Sequence, residues 1–147
     1  MDELMEILAR LPSSPALRKI HLELPVRLRP KARPRRTQKG YRVWWYTPSG
    51  KNEEEIGLLA AKKMREKGLE RLGGKVKLSA TIYLKGKVSG DISNLIKALE
   101  DALEGVCYYN DIQIREYGEI KVVNEAEDNL VVVDLEEIGR FERRKNE

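Results

Sequence analysis

The sequence predicts a single α+β domain, a mixed sheet covered by one layer of two main helices. Three observations carry that expectation. Lys75 to Leu84 places Val76, Leu78, Ala80, Ile82 and Leu84 at alternate positions, the two-residue period of a half-buried strand. Asn52 to Leu72 and Ser93 to Leu103 instead space their apolar residues by three and four, the period of an amphipathic helix. The 147 residues are enough for one core, and the other strand-like segments are mixed with these two helices.

Taken in order, Asp2 to Leu11 sets Leu4, Met5, Ile7, Leu8 and Leu11 at helical spacing, and Pro12-Ser13-Ser14-Pro15 ends that helix. Residues 1–17 therefore read as a helical extension. The main domain spans 18–136, and 137–147 is a charged tail, frayed or helical from about Glu136. Lys19 to Leu24 alternates Ile20, Leu22 and Leu24 with Lys19, His21 and Glu23, which puts His21 on the solvent side of a strand. Pro25 to Gly40 holds three prolines and seven basic residues without an apolar period, and is expected to be an extended or poorly ordered loop. Arg42 to Tyr46 reads as a strand closed by Thr47-Pro48-Ser49-Gly50. The helix from Asn52 carries Ile56, Leu59, Ala60, Met64, Leu69 and Leu72 on one face and stops at Gly73-Gly74. After the second helix, Ile112 to Val123 suits one bent strand or a hairpin about Gly118. Asn129 to Leu135, with Val131-Val132-Val133, suits a central strand.

Composition excludes several functions. No run approaches the roughly 18 apolar residues of a membrane span, and Asp2, Glu3 and Glu6 interrupt any signal-peptide layout, so the expected compartment is the cytoplasm. One cysteine and one histidine leave neither an internal disulfide nor a zinc spacing. Cys107 reads as a small buried apolar residue. The net charge is +4, unevenly spread: nine Lys or Arg lie between Arg18 and Lys39 against the single acid Glu23, whereas Asp91 to Asp134 is rich in acids. A basic arm beside an acidic cluster suits a protein that grips a polyanion and hydrolyses it through bound cations.

Three features converge between Gly90 and Lys121. Asp91 precedes a helix, with Ser93 or Asn94 able to cap it. Along that helix Ile92, Leu95, Ile96, Leu99, Ala102, Leu103 and Val106 form an apolar stripe, and Asn94, Lys97 and Asp101 stand opposite in one line. Tyr109-Asn110-Asp111-Ile112-Gln113 then leads into the next strand. By spacing alone, Lys97 and Asp101 also read as an ordinary i, i+4 pair on a solvated face, Asp91 as a cap and Asn110-Asp111 as a turn.

The string Asp91-x-x-Asn94-x-x-Lys97-x-x-x-Asp101-Ala102-Leu103-x-Gly105, followed by Asp111-x-Gln113, resembles the signature of the RusA family of Holliday junction resolvases. Pro30-Lys31-x-Arg33-Pro34-Arg35, with Tyr46-Thr47-Pro48 after it, resembles that family's basic upstream segment. The similarity runs from about His21 to Val133, and the helix before Pro12 stands outside it.

The resemblance implies a homodimeric crossover junction endodeoxyribonuclease that nicks four-way DNA junctions in recombination and repair, using Mg²⁺ with Mn²⁺ as a substitute. It implies metal binding by Asp91 and Asp111 and assistance by Lys97, which make the catalytic set. Such hard oxygen ligands suit an ion that keeps several waters and takes a substrate phosphate as a further ligand. Where the commoner family pattern is Asp-x-Asp-Asn, this chain has Ser93, a hydroxyl in place of a carboxylate, and Asn110 stands where an aspartate is often found. Glu100, about 20° from Ser93 around the helix and roughly 10 Å along it, and Asp101 are the candidate substitute carboxylates.

Arg27, Arg29, Lys31, Arg33, Arg35, Arg36 and Lys39 form the expected phosphate-contacting set, seven charges in thirteen residues. Asn94, Gln113 and Lys121 complete the expected DNA surface. Trp44, Trp45 and Tyr46 alternate faces of a strand, and Tyr108 and Tyr109 likewise divide between core and surface, which leaves one of these aromatics as a candidate wedge at a junction centre. The alternative function is a non-catalytic branched-DNA-binding dimer with a degenerate metal site. A third is a partner-binding protein docking through its N-terminal helix.

Overall fold

The computed structural model describes residues 17–30, 35–46, 50–87 and 91–141, with 35–39, 42 and 44–46 described through their backbone only. The expected N-terminal helix and the last six residues lie outside that range. Six strands and two helices follow: β1 (Lys19–Leu24), β2 (Arg35–Lys39), β3 (Arg42–Tyr46), α1 (Lys51–Glu66), β4 (Lys75–Tyr83), α2 (Ile92–Leu103), a 3₁₀ turn (Asp111–Gln113), β5 (Ile114–Val123) and β6 (Leu130–Gly139). The protein is a small α+β domain, a mixed four-stranded sheet with two helices, as the sequence predicts.

The sheet runs β1-β6-β4-β5. Strand β6 is antiparallel to both β1 and β4, while β4 and β5 are parallel. Parallel neighbours need a crossover, and α2 provides it. This topology fixes where the candidate residues fall. Helix α2 starts beyond the carboxyl end of β4 and finishes near the amino end of β5. Asp91 and Asp111 therefore bracket the helix from its two ends.

One sheet face is apolar because each strand alternates. Ile20, Leu22 and Leu24 of β1, Val76, Leu78, Ala80 and Ile82 of β4, and Val131, Val133 and Leu135 of β6 are all buried. Against them pack Ile56, Ala60 and Met64 of α1 and Leu95, Leu99 and Leu103 of α2. Each fully buried Leu or Ile contributes about 1.5–3 kcal/mol. Cys107 is wholly buried, and desolvation pushes its thiol up to about 12, so it behaves as core. His21 lies on the open sheet face, with its ring half-exposed.

Four local expectations are corrected. The first helix ends at Glu66 instead of Leu72, because Gly68 turns the chain at φ +64, a conformation glycine adopts without strain. Part of the basic arm is not a loop: residues 35–39 form β2, which pairs antiparallel with β3 in a separate two-stranded sheet. Of the two readings of Ile112 to Val123, the single bent strand holds and the hairpin does not. The strand starts at Ile114, after a 3₁₀ turn over Asp111–Gln113, and has a register irregularity between Leu78 and Ala80 of its neighbour. Finally, β6 continues through Glu136 to Gly139 where a frayed tail was expected. Glu137 is buried there, accepting from Arg18 Nε at 3.2 Å and from the Gly74 amide at 3.2 Å.

Candidate functional site

The site grows from the two ends of α2. At its start, Asp91 has extended backbone (φ −90, ψ 165) and its side chain accepts a hydrogen bond from the Asn94 amide at 2.8 Å. Asp91 is thus the cap itself, and neither Ser93 nor Asn94 takes that role. A carboxylate here satisfies an otherwise orphan amide and sits at the positive end of the helix dipole. At the other end Glu104 closes the helix, and Gly105, at φ +82, turns the chain so that its amide meets the Tyr108 carbonyl at 2.7 Å.

The following turn is tightly braced. Tyr108 is buried, and its hydroxyl donates to the Glu100 carbonyl at 2.5 Å. Burial, followed by the neighbouring Glu100 charge, raises the Tyr108 pKa well above the usual phenol range. The Asn110 side chain accepts from the Ile112 amide at 3.0 Å. Gln113 does most of the bracing. Its Oε1 accepts from the amides of Tyr109 (2.7 Å) and Asn110 (2.9 Å), and its Nε2 donates to the carbonyls of Leu72 (2.8 Å) and Gly74 (3.0 Å). That uses the full hydrogen-bonding capacity of a glutamine amide.

Out of this turn comes Asp111. Its amide donates to Glu104 Oε1 at 2.9 Å, and its Oδ2 lies 3.7 Å from Lys97 Nζ. Two positions 14 residues apart are brought together, on a helix and on the turn ahead of the next strand. Asp91 lies six residues from Lys97, roughly 9 Å along the helix axis. Beside them Ile92, Ser93, Ile96, Lys97, Glu100, Tyr117 and Ile120 line a shallow groove between α2 and β5. Within it the Tyr117 hydroxyl hydrogen-bonds to Glu100 Oε1, and burial together with that bond pushes the phenol up to about 12.

The expected site residues divide accordingly. Asp111 and Lys97 meet, Asp91 stands at the helix start, and Ser93 and Glu100 share one groove. Glu100, the candidate substitute carboxylate, is 6% exposed, and one of its oxygens is taken by the Tyr117 hydroxyl. Gln113 is not a DNA-facing residue: it is 5% exposed and its amide is spent on the protein's own backbone. Lys121 is exposed on β5 and pairs with Glu119 at 2.6 Å. Among the arm residues, Arg27 is committed internally, donating to the Lys85 and Lys87 carbonyls at 2.7 and 3.0 Å. Lys31 and Arg33 lie outside the described residues, and Arg35, Arg36 and Lys39 are seen only as backbone of β2. The Arg29 amide is held by Asn52 Oδ1 at 2.8 Å.

Glu104 and Tyr117 were not anticipated. Glu104 had a signal, since it extends the line Lys97, Asp101 by three residues. Tyr117 had none, because only the crossover brings β5 beside α2. Among the described residues no three Asp, Glu, His or Cys side chains form a ready cation cage. The motif's two aspartates, Asp91 and Asp111, are both accessible, and oxygen donors of that kind suit a hard cation that keeps waters and completes its shell on a phosphate.

The family model described as endodeoxyribonuclease RusA matches residues 25–136, most of the chain. The comparison with curated proteins gives no match to this chain.

Proposed function

The chain belongs to the RusA family of endodeoxyribonucleases, and from that premise we propose that it is a divalent-metal-dependent enzyme nicking four-way DNA junctions in recombination and repair. The observation that carries the reading is the Lys97–Asp111 pair. The chain folds so that the motif's lysine and its second aspartate stand 3.7 Å apart. The non-catalytic alternative is not favoured.

In this reading Asp91 and Asp111 hold Mg²⁺, with Mn²⁺ as an alternative. The ion supplies Lewis acidity, neutralising phosphate charge and acidifying water. Lys97 donates to the phosphate oxygens as their charge grows. Asp91 has one oxygen committed to the Asn94 amide, which fixes the direction of the other. Glu104 and Gln113 set the position of Asp111 through the backbone of its turn. Ser93 contributes a hydroxyl and no charge, so the chain holds its cation more weakly than one with a third carboxylate. Asp101 remains a candidate outer ligand. The arm from Arg29 to Lys39 grips backbone phosphates without reading sequence, and Asn94 and Lys121 extend that surface. A two-fold dimer would present two such sites to two strands of like polarity.

The test is incubation with a synthetic four-way junction and Mg²⁺ beside a linear duplex of the same sequence, with light scattering for mass. Paired nicks on the junction, an intact duplex and twice the chain mass are expected. Equal cutting of both substrates, or no cutting of either, would overturn the reading.

A further inference from the structure

The turn that carries Asp111 also exposes apolar surface. Tyr109 and Ile112 are 59% and 66% exposed, two large apolar side chains on either side of Asn110 and Asp111. They cannot easily fold away, because the backbone between them is held by Gln113, Asn110 and Glu104. The Tyr109 ring lies over the Arg71 guanidinium, 4.3 Å from centroid to Cζ. Arg71 is fixed in turn by donating to the Gly105 carbonyl at 3.3 Å. Its anchors are a carbonyl and a ring, so among the described residues no carboxylate pairs with its charge. By contrast, Arg18 in the same cleft is neutralised by Glu137.

A rigid loop bearing an aromatic ring, an aliphatic side chain and an unneutralised guanidinium has a definite ligand chemistry. Aromatic rings stack on nucleobases with little regard to sequence. Exposed aliphatic side chains act as wedges between base steps. A guanidinium takes a phosphate through its fork of donors. Continuous duplex offers no bare base face, whereas the branch point of a junction has bases whose stacking is interrupted. We propose that Tyr109 and Ile112 contact the unstacked bases at the branch point, with Arg71 on the adjoining phosphate. This rests on the junction-DNA reading above and extends it to how a branch is told from a duplex. The contact would seat the branch within a few residues of Asp111.

The experiment compares affinities for a four-way junction and for matched linear duplex, in the full chain and without Mg²⁺. Variants are Tyr109→Ser, Ile112→Ser, Arg71→Gln and, as a control for removing an exposed apolar side chain elsewhere, Leu58→Ser on α1, which is 73% exposed. Tyr109→Ser and Ile112→Ser should each lower junction affinity by at least about fivefold with duplex affinity unchanged. Arg71→Gln should flatten the salt dependence by roughly 0.9 in slope. Leu58→Ser should match the wild type. A 2-aminopurine base at the branch point should dim on binding the wild type, quenched by stacking on the Tyr109 ring, and keep its brightness with Tyr109→Ser, which reports the contact itself. Wild-type junction preference persisting in both serine variants would overturn this inference and leave the resolvase reading standing. A wild type without junction preference would overturn both.

Discussion

Lys97 Nζ lies 3.7 Å from Asp111 Oδ2, tying the middle of α2 to the turn ahead of β5. The side chains are 50% and 33% exposed, so water screens the pair and it contributes less than about 1 kcal/mol to folding. Its value is positional. Lys97→Met should melt within about 4 °C of the wild type while nicking junctions about 10²-fold more slowly, through lost stabilisation of phosphate charge. Melting curves beside single-turnover rates check both parts, and an unchanged rate would remove Lys97 from the site.

Asp91 is both cap and candidate ligand, and one substitution separates the two roles. Asparagine caps a helix as well as aspartate does, so Asp91→Asn should keep the wild-type stability. It should abolish nicking and leave junction binding equal or stronger, since one repulsion against phosphate is gone. Ser93→Asp should shift the Mg²⁺ dependence of nicking to lower concentration. Nicking measured against Mg²⁺ for all three proteins decides; activity that survives Asp91→Asn would sink the assignment.

Gln113 supports the turn rather than the substrate. Gln113→Leu strands two amides and two carbonyls, each costing about 1–3 kcal/mol if left unpaired. Partial rescue by water reduces the total, and a loss of roughly 3–5 kcal/mol is expected in urea unfolding. A loss below about 1 kcal/mol would show that the four bonds are readily replaced.

The arm predicts salt dependence. Changing Arg33, Arg35 and Arg36 together to Ala should weaken binding to junction and duplex alike. The slope of log affinity against log salt should flatten by roughly 0.9 for each lost phosphate contact. An unchanged slope would mean that these residues touch no phosphate.

His21 should titrate above its ordinary value of 6.5, chiefly through its 2.6 Å hydrogen bond to Asp134, helped by the charges of Asp134 and Glu23. A raised folded pKa means that the protonated ring favours the native state. That contribution is complete below 6.5 and fades as pH rises through the folded value. His21 is the one histidine of the chain, so its ring resonances need no assignment. In Asp134→Asn its midpoint should fall, and a midpoint unmoved by that change would mean the bond does not persist in solution.

The sequence alone determined the class of fold, the alternation of β1 and β4, the central strand at β6, the two helices and the motif from Asp91 to Gln113. These depend on short-range chemistry: the period of apolar residues, and turn and cap residues at fixed offsets. It also placed Cys107 in the core and His21 at solvent, since each follows the face of its own segment. Tertiary structure alone decided which partners these residues met. Lys97 reached Asp111 because a parallel β4–β5 pair requires a crossover, and the crossover returns the chain past its own helix. Glu100 and Gln113, read as a candidate ligand and a DNA contact, are both buried: Gln113 because the carbonyls of Leu72 and Gly74 need polar partners away from water, and Glu100 beside the Tyr117 hydroxyl. Likewise Glu137 extended β6 beyond the expected tail by satisfying Arg18 and Gly74. A local pattern tells which side of a segment is apolar; only long-range packing tells which polar groups must be satisfied inside.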